Sequence, residues 1–360
     1  MKKTARFYSI AYNYYNCPLI LRIILFPFIY IFVCLGQKKL LISKGEVLSS
    51  SIEKSIEKFN SSKFVKYDII RSLILFAATP NEYFLYGFNG KTIRERDSFL
   101  TDMYRRLLLK DKENHLCWEI LYNKYNFYTR TENFFKRDAI LFSSETSFQT
   151  FELFCKTHKR IFIKENCGSY GFNARLVDYS NDNIETIYNQ LKATNTDYII
   201  EVAIRQNSKM ALWNNSSVNT VRIPTFLTSK GFFISEPFLR TGRAGAIVDN
   251  AGAGGIFAVI DPTTGTIITD GVDEAGNKYT HHPNSGLQYK GWEIPEWEKL
   301  TKLCEEAHRL MSDHIYIAYD FAYTDENEWV LIEGNWGQFI SQIATQKGSK
   351  SSFQKLINND

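Results

Sequence analysis

The sequence predicts an α+β protein, mainly helical in its first third and rich in strands beyond about residue 136. Three observations carry this reading. Apolar residues early in the chain recur at helical spacing, as at Ile52, Ile56 and Phe59. From residue 160 onward, apolar runs of strand length alternate with turns containing glycine and asparagine. Finally, "IYIAYDFAYTDENEWVLIEGN", residues 315–335, reads as two period-two runs around a polar turn, an antiparallel hairpin.

The first segment, residues 1–44, contains "CPLILRIILFPFIYIFVCLG" at 17–36, a nearly continuous apolar stretch of almost membrane-spanning length. Lys2, Lys3 and Arg6 precede it, and Lys38 and Lys39 follow it. Arg22 and Pro27 count against an ordinary span, and no small-residue cleavage site marks a removable leader. Two readings stand: a helix at the cytoplasmic face of a membrane, drawn there by its basic flanks, or a buried core helix. The membrane reading carries the expectation that deletion of residues 1–40 leaves a folded protein. Residues 45–135 form the mainly helical region and show no chemical motif of their own.

Strands and loops with chemical content begin in the middle of the chain. "RIFIKENCGSYGFNARLVDY", residues 160–179, is a strand, a glycine loop and a second strand. Gly168, Ser169 and Gly171 allow backbone N–H groups to approach phosphate oxygens, with Lys164 at the end of the first strand. An ordinary hairpin explains the same pattern, and no helix follows to make it a nucleotide-binding fingerprint. "DYIIEVAIRQ", residues 197–206, is an apolar strand interrupted by Glu201. "SVNTVRIPTFL" (217–227) and "GFFISEPFLRTGRAG" (231–245) place Asn219, Arg222, Arg240 and Arg243 within or beside strands. Arginine in a strand needs a partner, either a carboxylate of the protein or a bound phosphate. Asp249 and Asn250 precede a small-residue loop, "AGAGG". His281 and His282 lack a companion at metal-ligand spacing and are read as part of a turn at Pro283. "PEWEKLTKLCEEAHRLM", residues 295–311, is an amphipathic helix.

The closing hairpin poses a chemical question. With its turn near Glu326 and Asn327, Asp320 lies opposite Glu333, and Asn335 shares their face because side chains alternate. Facing carboxylates repel unless one is protonated or a cation sits between them. An Asp, a Glu and an Asn oxygen suit Mg²⁺, which prefers hard oxygen ligands; an acidic hairpin facing water is the alternative. Loss of the repulsion leads to the expectation that Glu333→Gln abolishes turnover yet raises stability in the absence of nucleotide.

Bulk composition narrows the classes. A hydrophobic fraction of 44% with 15% aromatic residues supports a substantial core. The net charge of +4 is too small, without any basic-aromatic motif, to indicate a nucleic-acid partner. The six cysteines (Cys17, Cys34, Cys117, Cys155, Cys167, Cys304) form no CxxC pair, which fits reduced thiols in the cytoplasm.

Taken in order, these pieces resemble the ATP-grasp superfamily and, more finely, the sugar-transfer-associated ATP-grasp proteins encoded among genes for bacterial surface polysaccharides. The finer resemblance rests on "VNTVRIPT" (218–225), "LRTG" with "VDNAGAGGI" (239–256), "HPNSG" (282–286), and "YDFA" with "LIEGN" (319–335). It covers roughly residues 80–345 and implies two α+β lobes clasping Mg-ATP, a nucleotide-binding lobe at 136–206 and a catalytic lobe at 207–350. By this resemblance Asp320, Glu333 and Asn335 hold Mg²⁺. Lys164 and Lys124 meet the ATP phosphates, and the loop of Gly168, Ser169 and Gly171 covers them. Glu201 lies on the adenine side, Asn250 joins the cofactor contacts, and Arg222, Arg240 and Asn219 serve catalysis. One position departs from many ATP-grasp ligases, which carry arginine two residues before the metal aspartate, where Ala318 stands here. The implied activity is an ATP-dependent carboxylate–amine ligase working through an acyl phosphate. Its partners would be a glycan or lipid-linked glycan carrying a carboxylate, such as a uronic acid, and an amine. A sugar phosphotransferase and an inactive scaffold are the alternatives. The implied location is the cytoplasm, at the inner face of the cytoplasmic membrane.

Overall fold

A computed structural model describes residues 5–43, 46–110, 115–168, 174–246, 249, 254–337 and 340–357. The chain separates into two compact units, one of Met1–Lys112 with Gln338–Asn359, the other of Glu113–Gly337. The first unit opens with α1 (Ala5–Asn16), α2 (Leu19–Gly36), the short strands β1 (Leu41–Ser43) and β2 (Glu46–Val47), and α3 (Leu48–Lys58). It continues through α4 (Lys66–Phe76), α5 (Pro80–Leu85), α6 (Ile93–Asp97) and α7 (Asp102–Lys110). Of the residues that set helical spacing in the sequence, Ile52 is buried while Ile56 and Phe59 are half-buried; Ile69, Ile70, Leu73 and Phe88 join Ile52 in the buried interior. Two starts are fixed by reciprocal capping. Thr79 and Thr92 accept the backbone N–H of Glu82 and Glu95, whose carboxylates accept the N–H of each threonine in return.

In the second unit, α8 (His115–Tyr122) and α9 (Lys124–Phe135) lead into β3 (Ala139–Phe142), α10 (Phe148–His158), β4 (Arg160–Glu165), β5 (Arg175–Asp178), α11 (Ile184–Ala193) and β6 (Tyr198–Val202). The strands form a four-stranded antiparallel sheet in the order β3-β6-β4-β5. Phe151, Ile187 and Leu191 of α10 and α11 pack with Ile161, Ile163 and Ile200 of the sheet.

After α12 (Ser208–Ala211) the chain builds a larger sheet from β7 (Thr220–Thr228), β8 (Gly231–Ile234), β9 (Phe238–Thr241), β10 (Ile256–Val259), β11 (Gly271–Val272) and β12 (Lys278–Tyr279). Helix α13 (Trp297–Leu310) precedes the hairpin of β13 (Tyr316–Tyr323) and β14 (Trp329–Asn335). The order is β12-β11-β10-β9-β7-β13-β14, with β8 paired to β7. Alternate residues of the central strands, among them Val221, Ile223, Leu239, Tyr319, Phe321 and Leu331, enter one core with α9 and α13. Their sequence neighbours Thr220, Arg222, Arg240 and Asp320 therefore face the other side.

The hairpin reaches its register with a correction. From the turn inward, Tyr323 pairs with Trp329 and Phe321 with Leu331, but Asp320 pairs with Glu333. Ile332 is thus the extra residue of a β-bulge, and it brings Glu333 rather than Ile332 opposite Asp320. Finally, α14 (Ser341–Thr345) and α15 (Lys350–Ile357) return to the first unit. There the Gln342 side chain accepts from the N–H of Leu100 (2.9 Å) and donates to its carbonyl (2.8 Å).

Candidate active site

Asp320 lies on β13, the strand beside the edge strand β14 of the large sheet, and is buried. Strand register puts Arg222 of β7 on one side of it and Glu333 of β14 on the other. Arg222 Nε donates to Asp320 Oδ1 at 2.6 Å, and Nη2 donates to Oδ2, a two-point grip. Arg240 of β9 donates from Nη1 to Asp320 Oδ2 (3.0 Å), while its Nη2 stands 3.2 Å from Asp249. Asp249 in turn accepts from the backbone N–H (3.1 Å) and the hydroxyl of Thr220. Asn335 Nδ2 touches both acids, at 3.2 Å from Asp320 and 2.9 Å from Glu333. Four strands thus supply one row, with two arginines on β9 and β7 followed by two carboxylates on β13 and β14.

Glu333 is drawn strongly toward ionisation. Burial opposes its charge, but Lys164, Lys124 and Arg222, with the Asn335 amide, outweigh that effect and bring its pKa down to about 2. The compensating cations expected of a metal are therefore partly the protein's own. Relief of repulsion is not what Glu333→Gln would achieve, and the expected gain in stability is corrected to a loss. Asp249 moves the other way, raised by burial against the pull of Arg240.

The two lysines come from different elements. Lys164, on β4, is buried and places Nζ 2.5 Å from Glu201 on β6. Glu201 also accepts from Arg137 Nε (3.0 Å), and Arg137 Nη1 donates to the carbonyl of Leu331 on β14 (2.7 Å). Burial opposes ionisation of Glu201, yet Lys164 and Arg137 hold its pKa below the usual carboxylate range. Its carboxylate is committed to these cations. Lys124 opens α9, whose start is fixed by the side chain of Asn123 accepting the N–H of Asn126 (2.9 Å). Its Nζ donates to the carbonyl of Gly168 (2.6 Å). Burial lowers the Lys124 pKa, Glu333 opposes that shift and Lys164 adds to it.

Asp320, Glu333, Asn335, Arg222 and Arg240 are thus brought together, with Lys124 and Lys164 electrostatically coupled to Glu333. Gly168 meets Lys124, and a side chain on it would approach the Glu165 carboxylate to 2.9 Å. Ser169, Gly171 and Asn250 lie outside the described residues. Asn219 does not join the cluster. Its amide donates to Gln206 (3.0 Å) and to the carbonyls of Met210 (2.9 Å) and Asn214 (2.7 Å), and its oxygen accepts from Gly242 N–H (3.3 Å). These bonds tie the buried amide to neighbouring backbone and to Gln206. His282 is likewise a buried clamp, with Nε2 at 2.9 Å from the Gly242 carbonyl.

Sequence reasoning missed Arg137 and Gly334. Arg137 sits between a helix and a strand with no motif around it. Gly334 reads as part of "EGN", but its reason is steric, since a Cβ there would stand 2.6 Å from Phe127 and 3.1 Å from Leu121.

The donor chemistry fits Mg²⁺. Two carboxylates and an amide converge; the Asn335 nitrogen donates to both acids, and the amide turned about would present its oxygen, the atom that suits Mg²⁺. Among the described residues, no group of three or more His, Cys, Asp and Glu side chains offers a competing site.

A family model described as sugar-transfer associated ATP-grasp matches residues 153–358, more than half of the chain. Among solved structures, D-alanyl-alanine synthetase A of Vibrio cholerae O1 biovar eltor str. N16961 is similar at 12% identity and TM-score 0.43, over 68% of this chain and 66% of that one. The D-alanine-D-alanine ligase of Coxiella burnetii follows at 9% identity and TM-score 0.43, over 68% and 59% of the respective chains. The ATP-grasp ligase PsnB, complexed with a minimal precursor, matches at 9% identity and TM-score 0.43, over 74% and 71%. The chain spans less than two thirds of the length of the first two of these proteins. No curated protein sequence matches it.

Proposed function

The chain belongs to the sugar-transfer associated ATP-grasp family, and on that premise we propose that it is an ATP-dependent ligase joining a carboxylate to an amine. The observation that supports this reading is the row of Asp320, Glu333 and Asn335 on one sheet face, with Asp320 gripped by Arg222 and Arg240.

The γ-phosphoryl group passes from ATP to a substrate carboxylate oxygen, and ADP leaves. The amine nitrogen then attacks the acyl carbon, phosphate departs, the nitrogen loses a proton to solvent, and an amide remains. Asp320, Glu333 and Asn335 would hold Mg²⁺, which supplies neutralisation of phosphate charge when bound. The protein's own part is electrostatic positioning. Lys124 and Lys164 offer ammonium groups to the nucleotide phosphates. Arg222 and Arg240 offer donors to the transferring phosphoryl group and take the role left open at Ala318. The fixed guanidinium forks orient these charges before substrate arrives.

The acceptor is a uronic acid of a bacterial surface polysaccharide or of its lipid-linked precursor, and the amine belongs to an amino acid or amino sugar. The family's association with sugar transfer supports this choice. The reaction takes place at the inner face of the cytoplasmic membrane, a location supported by the apolar helix α2.

ADP release with uronic-acid oligosaccharides tests the reading. Hydroxylamine in place of the amine should yield a hydroxamate, the signature of a trapped acyl phosphate. A stable phosphorylated sugar as the sole product, or no ADP with any acidic glycan, would overturn it.

A further inference from the structure

Helix α2 is long and apolar enough to cross a bilayer, and very little of it is buried in the protein. Its packing distinguishes standing across a membrane from lying along one. On the inner side, Val33 is fully buried, and α2 packs on α4. Near one end, the Arg22 guanidinium lies over the rings of Tyr14 and Tyr15, 5.3 and 5.0 Å from their centroids. The Tyr15 hydroxyl donates to Ile74 O, late in α4 (2.6 Å). Toward the other end, Tyr30 donates to Tyr67 O, early in α4 (3.3 Å). The two helices therefore run side by side.

Helix α4 is no partner for a membrane interior. Its Asp68 is paired with Arg96 (2.8 Å) and accepts from Tyr83 (2.7 Å), and Lys66 and Arg71 stand on the same helix. A helix crossing hydrocarbon could not keep these groups alongside it. The outer side of α2, opposite Val33, is different: Ile20, Ile24, Phe28, Ile31 and Leu35 are all exposed. Beside its C-terminal part, Phe64 is 90% and Tyr67 58% exposed, large aromatic side chains of the kind that settle at headgroup level. Lys38, Lys39 and Lys63 are exposed in the same neighbourhood.

We propose that α2 lies flat in one leaflet of an anionic membrane. Its outer side sits in the boundary between headgroups and acyl chains, Phe64 and Tyr67 rest at headgroup level, and the three lysines meet anionic lipid. At 1.5 Å per residue the helix offers an apolar face about 27 Å long. The proposal rests on the membrane location given above and is independent of the chemistry at Asp320.

Flotation of the full chain with vesicles of equal parts phosphatidylglycerol and phosphatidylcholine tests it. The protein should float with these vesicles and more weakly with phosphatidylcholine alone. Each of Lys38→Gln, Lys39→Gln and Lys63→Gln should weaken binding about fivefold at low salt. The pair Ile20→Glu, Phe28→Glu should abolish flotation while thermal unfolding and ADP binding stay unchanged. Asn13→Cys, on α1 just before α2, and Lys39→Cys, just after it, flank α2. On vesicle-bound protein, both should react with an impermeant maleimide added outside, as read by mass spectrometry. Protection of one end would indicate a span and overturn the proposal. Absence of flotation would overturn it too, as would dimers in vesicle-free solution that the Ile20→Glu, Phe28→Glu pair dissolves. Failure of the hydroxamate assay leaves these measurements untouched.

Discussion

Glu333 takes its charge state from three other elements, with Lys164 on β4, Lys124 on α9 and Arg222 on β7 all favouring the anion. An acid whose folded pKa lies below its unfolded value stabilises the fold above the unfolded value and loses that benefit as pH falls. Here the window runs from the ordinary value of 4.5 down to about 2. Glu333→Gln should therefore destabilise the protein by on the order of 2 to 3 kcal/mol at pH 7. The difference should shrink in thermal unfolding as pH approaches 2, and ATP turnover should be lost. Arg240 bridges Asp249 and Asp320 through two different nitrogens, a task a single ammonium cannot copy. Arg240→Lys should lower kcat at least tenfold per folded molecule, measured beside the unfolding temperature to separate chemistry from stability. These acids and arginines were legible because strand alternation places them at readable positions. Their pairing was not, since Arg222 and Asp320 stand ninety-eight positions apart and no local pattern reports which strands become neighbours.

At the scale of elements, the bulge and the glycine of the closing hairpin work together. Ile332 adds the residue that sets Glu333 against Asp320, and Gly334 lets the strand approach Phe127 of α9 and Leu121 of α8. Gly334→Ala should cost about 1 to 3 kcal/mol through overpacking. Because it moves the backbone between Glu333 and Asn335, it should also weaken Mg-ADP binding in calorimetric titration more than an equally destabilising core substitution elsewhere. The hairpin was evident from its two apolar runs and polar turn. The bulge was hidden, because a one-residue insertion leaves composition and length almost unchanged. The glycine's purpose was hidden as well, because it depends on a helix more than two hundred residues earlier.

The whole molecule is organised around an interrupted first unit, whose helices from the start of the chain are completed by α14 and α15. Gln342 shows how firmly the return is made, since its amide serves both backbone groups of Leu100 and also accepts the N–H of Ser349 (2.9 Å). Gln342→Ala should cost about 1 to 3 kcal/mol by leaving buried backbone groups unpaired, measurable as a lower denaturant midpoint. The α+β class followed from periodicity together with the family resemblance, whereas the return of the last helices did not, because short amphipathic helices carry no address. Removal of residues 1–40, read from the sequence as harmless to folding, would also strip Val33 and Leu40 from the first unit's interior. The same interruption has a consequence during synthesis. More than two hundred residues separate Lys112 from Gln338, and a ribosome adding about 5 to 20 residues per second needs on the order of ten to forty seconds to make them. Throughout that interval the nascent chain already displays α2 outside the exit tunnel while Leu100 waits for Gln342, so a lipid surface or a chaperone can engage the early helices before their last partners exist.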